Sequence, residues 1–416
     1  VAEGACLNQV SAHAQPRLLV LTSTYPRHSG DKEPAFVHEL ARRLSESFEV
    51  RVIAPARPHA HRVGRLDGVE VRRFRYAPER LQTLAGEGGI LANLKSRRWK
   101  WLLLPGFFLG LAFTTFQEIR KWRPDVVHAH WLIPQGLVIA LLGSISRRVP
   151  PFVITSHGGD LFALKRWPFP VLKRFVVRRA AAVTVVSETM KVELIGLGLP
   201  EKKISVQPMG VDLEHRFSPS ANTERSSKEI LFVGRLVEKK GLRFLIDAMP
   251  DVLTVCSDAF LTIVGFGPDE EALREQVDRL GLKQNVAFAG GRSHAEIVDF
   301  YQRATVFVAP FVQAKSGDQE GLGLVTIEAI GCGCPVIVGD LPATRAVVED
   351  GPFRVPVGSS GRLAQAICEV MEMSSEDRKA LAEKQRTYIE GRFDWGRRSN
   401  SYASLLRQVS GQRRSD

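Results

Sequence analysis

Residues 229–241 read EILFVGRLVEKKG, and their order decides the fold. The run from Glu229 to Val233 is the continuous apolar stretch of a strand buried on both faces of a parallel sheet. Gly234 permits a tight turn, and a helix begins near Leu242. Between them, Arg235 and Lys240 stand on a strand-to-helix loop. Open α/β sheets bind ligands beyond the carboxyl ends of their strands, so two cations there suit a diphosphate. Taken alone, the same side chains fit an ordinary solvated loop with surface cations somewhat better.

The pattern recurs in the first half of the chain. Residues 17–23 (RLLVLTS) form a buried strand, a polar loop with Gly30 follows, and residues 34–44 (PAFVHELARRL) place Phe36, Leu40 and Leu44 on one helical face. Further strands are expected at 50–54, 126–129, 152–156 and 182–186, then at 260–264, 286–289, 306–309 and 335–338. Strands alternating with helices at this spacing predict two Rossmann-like, doubly wound parallel sheets. A length of 416 residues fits two domains. The polar stretch between Val211 and Lys228 is the expected linker. The domains are expected at 1–212 and 213–380, with a terminal helical segment, 381–416, packing back on the first.

Composition narrows the function. The apolar fraction is 44% and the charged fraction 25%, which excludes a disordered chain. Residues 1–200 hold 29 basic and 15 acidic residues, a net of +14, and the remainder holds 28 and 30, a net of −2. All the excess positive charge therefore lies in the first half, where it favours an anionic surface or substrate. No RNA- or DNA-binding module accompanies it, so no nucleic-acid partner is expected. Five cysteines form no disulfide framework; Cys332 and Cys334 lack a second ligand pair and read as small buried residues in a reducing cytoplasm. Residues 1–15 carry no signal-peptide pattern, and no membrane span is expected.

After the expected strand 306–309 comes EGLGLVTIE, residues 320–328. Gly321 and Gly323 would let the amides of Leu324 and Val325 face an anion at a helix N-terminus. Glu328, four residues beyond Leu324, projects from the same face one turn deeper, where a carboxylate can accept hydrogen bonds from ribose hydroxyls. Glu320 sits at the mouth, suited to sugar hydroxyls or to positive charge on an anomeric carbon. The apolar neighbours Val325, Ile327, Ala329 and Ile330 argue for a buried helix rather than a solvent-facing one.

Glu320 and Glu328, with seven residues between them, match the E-x7-E motif of GT-B retaining glycosyltransferases, and the chain resembles family GT4. ILFVGRLVEKKG, LTIVGFGPDEEALR, NVAFAGG and EGLGLVTIEAIGCGCPVIV follow the family pattern in order and spacing. VVHAHWLIPQG and TSHGGDL resemble its N-terminal half, so the resemblance covers nearly the whole chain. It implies two domains facing each other across a cleft. By resemblance, Arg235 and Lys240 bind the donor diphosphate and Glu328 the ribose. Glu320 meets the donor sugar with the Leu324 and Val325 amides, and residues 290–292, ending in Arg292, lie against the base. His157 matches a histidine that meets the transferred sugar near the β-phosphate. Asp160 would orient the site or contact acceptor. One departure stands out: many members carry paired glycines in the first loop, whereas this chain has His28-Ser29-Gly30-Asp31-Lys32. Gly30 is left to approach the diphosphate, with an awkward Asp31 beside it.

No Asp-x-Asp follows a strand, so no metal or other cofactor is expected; Arg235, Lys240 and helix-terminal amides would neutralise the leaving group. The donor is expected to be a UDP- or GDP-sugar. Residues 165–179 (KRWPFPVLKRFVVRR) hold six basic and no acidic residues, interleaved with Trp167, Phe169 and Phe175. The apolar run 99–116 is flanked by Arg97, Arg98 and Lys100 and by Arg120, Lys121 and Arg123. Such faces suit peripheral attachment to an anionic membrane and a lipid-linked or cell-envelope glycan acceptor, at the inner face of the cytoplasmic membrane. A buried core helix with solvated flanks is the plainer alternative. A non-catalytic sugar-nucleotide-binding subunit would not need the intact set Arg235, Lys240, Glu320 and Glu328. A phosphorylase-like use of the fold lacks support, since no pyridoxal-phosphate lysine motif is recognised.

Overall fold

The computed structural model describes residues 15–411 apart from 32, 87–88, 163, 165 and 221. The expectations for residues 1–14, for Lys32 and for Lys165 lie outside the described residues.

Two sheets form the frame. The first contains β1 (Arg17–Leu21), β2 (Glu49–Pro55), β3 (Val63–Leu66), β4 (Val69–Phe74), β5 (Val126–His130), β6 (Phe152–Ser156), β7 (Ala182–Val185) and β8 (Ile204–Val206). Their order is β3-β4-β2-β1-β5-β6-β7-β8, parallel except for the β3–β4 hairpin. The second contains β9 (Glu229–Val233), β10 (Phe260–Val264), β11 (Val286–Gly290), β12 (Val306–Ala309), β13 (Val336–Gly339) and β14 (Arg354–Val355), in the order β11-β10-β9-β12-β13-β14, all parallel. In each sheet the strand that opens the domain lies centrally, β1 between β2 and β5, β9 between β10 and β12. Its residues are almost wholly buried, which is why both strands read as unbroken apolar runs.

β3, β4, β8 and β14 have no counterpart in the sequence reading. β3 (VGRL) is a largely exposed edge, and β14 has only two residues. β4 interleaves charges, with Glu70 paired to Arg51 on β2 and Arg72 paired to Glu118 on the helix packed over the sheet. None of these has the apolar run that marks a central strand.

The linker is pinned rather than free. Leu213 and Phe217 are buried, and the Arg225 guanidinium donates to the carbonyls of Tyr301, Ala304 and Cys332. The terminal segment also divides later than its sequence boundary at 381. The helix Ser375–Ile389 stays with the second domain, where Gln385 exchanges hydrogen bonds with Val336 on β13. The chain crosses between 390 and 394, with Val211 N–H donating to Phe393 at 2.7 Å. The helix Trp395–Gly411 then lies against the first sheet, with Tyr402 fully buried and donating to the Gln207 carbonyl.

The helix Leu104–Lys121 is apolar on two sides. Phe107, Leu111, Thr115, Glu118 and Ile119 face inward, and Glu118 is fixed to Arg51 at 2.6 Å and Arg72 at 2.7 Å. Residues Arg98–Lys121 are long and apolar enough to cross a membrane, but this inner face is folded onto the sheet. The outer side leaves Leu102, Leu109 and Phe113 exposed, at 81%, 70% and 64%. Two of the cations counted toward a membrane-facing surface, one from each basic segment, do not belong to it. Lys100 is buried, donating to Asn93 and the Thr83 carbonyl, and Lys173 is buried against the Leu161 carbonyl. Both cap buried carbonyls, a role that composition does not reveal.

Candidate active site between the two sheets

The carboxyl ends of both sheets border one cleft of about 330 Å3. It brings together His157 from the first domain with Gly234, Arg235, Lys240, Arg292, Glu320, Gly323, Leu324, Val325 and Glu328 from the second. Gly30 and Asp160 are not among its walls. Gly30 is exposed, in a loop folded on itself by Asp31, which accepts from the Arg27 backbone N–H and guanidinium at 2.8 Å. Burial raises the Asp31 pKa, but those Arg27 bonds outweigh it and hold the carboxyl well below its usual range. The acid that looked awkward beside a diphosphate is thus spent on Arg27, and Gly30 does not reach the cleft.

Asp160 lines the adjoining cavity of about 640 Å3 and also serves as a structural bracket. It is buried, accepting from the Leu132 N–H at 2.6 Å and the Ser156 hydroxyl at 2.8 Å, so it ties the loop after β5 to the end of β6. Burial raises its pKa, against these bonds and the Lys173 charge.

His157 follows β6 directly. Its Nε2 lies 2.9 Å from Nδ1 of His130 at the end of β5; the rings stack at 5.2 Å, and Phe36 and Trp131 each approach to 4.9 Å. Burial holds its pKa down at about 3, with a smaller contribution from His128. The imidazole is therefore neutral near pH 7 and offers a hydrogen bond rather than a charge.

On the opposite wall, Lys240 Nζ is 2.7 Å from Glu320 Oε2 and 4.4 Å from the centre of the Phe311 ring. Burial raises the Glu320 pKa, yet Lys240 and Lys239 outweigh it and hold the carboxyl at about 2. Burial lowers the Arg235 pKa, opposed by Asp318, Glu33 and Glu320; a guanidinium remains charged at neutral pH all the same. Gly323, at φ +77, opens the helix Leu324–Gly331 without a capping side chain, so its first amides meet the cleft. One turn deeper, the buried Glu328 accepts from the Tyr301 hydroxyl at 3.1 Å. Arg292 is at the rim, paired with Glu296 at 3.2 Å.

Gly321 marks where the domains meet. A Cβ there would stand 2.5 Å from the His157 carbonyl oxygen, so only glycine lets the 320–323 turn close on the first domain.

Several cleft residues escaped the sequence reading. Phe36, read only as sharing a helical face with Leu40 and Leu44, packs against His157 on the first-domain wall of the cleft. Glu39, one turn along, is buried among Arg42, Arg43 and Arg216, and these hold its pKa at about 2 against the opposing effect of burial. Arg216 belongs to the linker, 177 residues away in sequence, so no local signal joins the two. Cys332 and Cys334 are buried among the core side chains of the second domain.

Two sheets meeting at their carboxyl ends, with cations, a helix N-terminus and carboxylates in the cleft between them, define a GT-B sugar-transferring enzyme. Residues 35–215 match the model of glycosyltransferase family 4, and residues 214–388 match that of glycosyl transferases group 1. The chain belongs to this family and is a glycosyltransferase. It is 30% identical to the GDP-mannose-dependent alpha-(1-6)-phosphatidylinositol monomannoside mannosyltransferase of Mycolicibacterium smegmatis, over 64% of this chain and 73% of that one. It is 29% identical to a glycogen synthase of Mycobacterium tuberculosis, over 71% and 72%. The fold is similar to sucrose-phosphate synthase of Thermosynechococcus elongatus, with a TM-score of 0.77 at 20% identity over 96% of this chain and 100% of that one.

Proposed function

We propose that the enzyme moves a hexose from a UDP- or GDP-hexose to a lipid-linked or cell-envelope glycan, with retention at the anomeric carbon and without a metal. The observation that carries this reading is the convergence of Arg235, Lys240 and the N-terminus of the helix Leu324–Gly331 on one cleft that also holds Glu320 and Glu328. Two cations and a set of amides supply the charge that a departing nucleoside diphosphate requires. The bond from the anomeric carbon to the phosphate oxygen breaks as the bond to the acceptor oxygen forms on the same face. The acceptor proton passes to the leaving phosphate. Glu328, oriented by Tyr301, holds ribose hydroxyls; Glu320 faces the sugar, and neutral His157 hydrogen-bonds to it near the β-phosphate. The names of the relatives support a sugar-nucleotide donor without choosing its base: one is called GDP-mannose-dependent, and the Anabaena protein HepE was solved with UDP-glucose.

We place the enzyme at the inner face of the cytoplasmic membrane. The exposed Leu102, Leu109 and Phe113, the adjoining helices Leu137–Ile145 and Phe169–Arg179, and Trp167 at 83% exposure support attachment. Arg97, Arg98, Arg120, Lys121 and Arg166 are exposed nearby in sequence and would meet anionic headgroups. The test of the reaction is a donor screen in EDTA. One nucleoside-diphosphate hexose should raise the Tm and be consumed, with an α-linked donor giving an α-linked product. Dependence on added divalent metal, or a β-linked product, overturns the reading.

A further inference from the structure

His157 is held from outside its own loop. His130, at the end of β5, places Nδ1 2.9 Å from Nε2 of His157, and the two rings lie within 9° of parallel. His130 is buried, whereas His157 lines the donor cleft. Trp131 follows His130 at φ +75 and ψ 137, a backbone region that residues with side chains rarely occupy and that surrounding bonds must enforce. Those bonds are present. The Trp131 N–H donates to the Thr155 carbonyl at 2.7 Å, and the Leu132 N–H donates to Asp160 at 2.6 Å. With its side-chain amide turned to satisfy both neighbours, Gln135 donates to the His130 carbonyl at 3.1 Å and accepts from the Ser23 N–H at 2.9 Å. The strained turn brings the Trp131 ring to 4.9 Å from His157, and its anchors hold Nδ1 of His130 against Nε2 of His157.

Two neutral imidazoles that meet nitrogen to nitrogen share one proton, so one ring donates and the other accepts. We infer that His130 is the donor, a positioning residue that fixes the proton of His157 on Nδ1. Which ring nitrogen of a histidine carries the proton is set by the hydrogen bond that the other makes. With Nε2 engaged by His130, only Nδ1 of His157 can meet a ligand. A leaving diphosphate offers acceptors alone, and Glu320 and Glu328 already supply acceptors to the cleft. An Nδ1–H toward the oxygens between sugar and β-phosphate gains strength as the leaving group gains charge; a bare Nδ1 would oppose it. Burial keeps both rings from taking a second proton near pH 7, so the tautomer is the variable that remains. The inference rests on the donor reading of the cleft and adds the residue that prepares His157 for it.

The test uses the full chain with ¹⁵N-labelled histidine. Protonated and bare ring nitrogens resonate far apart, and His157→Gln identifies the His157 signals. The ligand-free protein should show His157 protonated on Nδ1 and bare on Nε2. His130→Phe keeps an aromatic ring without the hydrogen bond, and it should move the His157 proton wholly or partly to Nε2. His130→Asn places an amide N–H where Nδ1 stands and should restore the Nδ1–H form. Binding of UDP and GDP and hydrolysis of UDP-glucose and GDP-mannose are measured on the same proteins. His130→Phe should lower kcat about tenfold, the worth of one hydrogen bond to a charged group, with KM held within about twofold, and His130→Asn should recover most of the loss. A bare Nδ1 on His157 in the unsubstituted protein overturns the inference. So does a tautomer unchanged in folded His130→Phe, or an equal loss of kcat in His130→Phe and His130→Asn, which would make His130 a support of the fold alone. Failure of the unsubstituted protein to bind UDP and GDP, with the tautomer still following residue 130, would count against the donor reading and leave the positioning role standing.

Discussion

Glu320 and Lys240 show how far residue identity alone can mislead. The sequence assigns one to the sugar and the other to the diphosphate, yet 80 residues apart they meet at 2.7 Å. Before a ligand arrives, Lys240 is already partly neutralised. Removing the Glu320 charge should therefore separate binding from chemistry. In Glu320→Gln, nucleoside-diphosphate affinity should hold or improve, while transfer falls by about 100-fold, as when one oriented electrostatic group is lost. Calorimetry and turnover on the same preparation check this; parallel loss of both would make Glu320 a support for the cleft rather than a participant. Of the cleft residues that the sequence singles out, His157, Gly234 and Arg235 stand directly after strands, where the apolar run ends and chemistry begins, and Glu320 and Glu328 follow β12 on a glycine-bearing turn and its helix. Those it missed depend on partners distant in sequence, as Glu39 does on Arg216, or on folded carbonyls, as Lys100 and Lys173 do.

At the scale of elements, turns and helix faces decide more than propensity. The 320–323 turn closes on the first domain because Gly321 has no side chain to strike the His157 carbonyl. Gly321→Ala should hold the domains apart. Transfer and donor hydrolysis should fall at least about tenfold, since the reacting groups are displaced by the width of a methyl group, and small-angle scattering should report a larger radius; unchanged activity would show that the enzyme works open. The helix Leu104–Lys121 serves both core and surface. Its inner face was legible as a core helix, but the exposed Leu102, Leu109 and Phe113 were not separable from it, because an apolar residue at either face looks the same in sequence. Paired substitution Leu109→Glu and Phe113→Glu should leave the Tm within a few degrees and abolish co-sedimentation with anionic vesicles at low salt. Undiminished binding would place the membrane contact elsewhere.

For the whole molecule, the two-sheet plan was legible because central parallel strands read as apolar runs, while edge strands β3 and β14 and the crossing at 390–394 carry no such mark. The charge division between the halves also survives in three dimensions, with one qualification: part of the basic excess is internal, at Lys100, Lys173 and in the Arg51–Glu118–Arg72 network. The buried histidines of the first domain give the fold a pH dependence. Burial holds His128 and His157 at about 3 and His130 well below its ordinary value. The unfolded chain binds protons at these sites first, so stability is full above about pH 6.5 and is lost as pH falls below it. Between pH 7.5 and 5.5 the loss is on the order of 1 kcal/mol for each imidazole, seen as a Tm lowered by several degrees. A flat Tm across that range would mean that these rings are not buried as described.

The central claim is that one cleft holds the donor diphosphate between Arg235, Lys240 and the helix Leu324–Gly331. Calorimetric titration of UDP and GDP into the unsubstituted protein and into Arg235→Ala and Lys240→Ala tests it most directly. One nucleotide should bind the unsubstituted protein, and each variant should lose about 10- to 100-fold in affinity, the worth of a charge-assisted contact, while keeping its fold by circular dichroism. Binding of equal strength to all three proteins, or to none, would contradict the account.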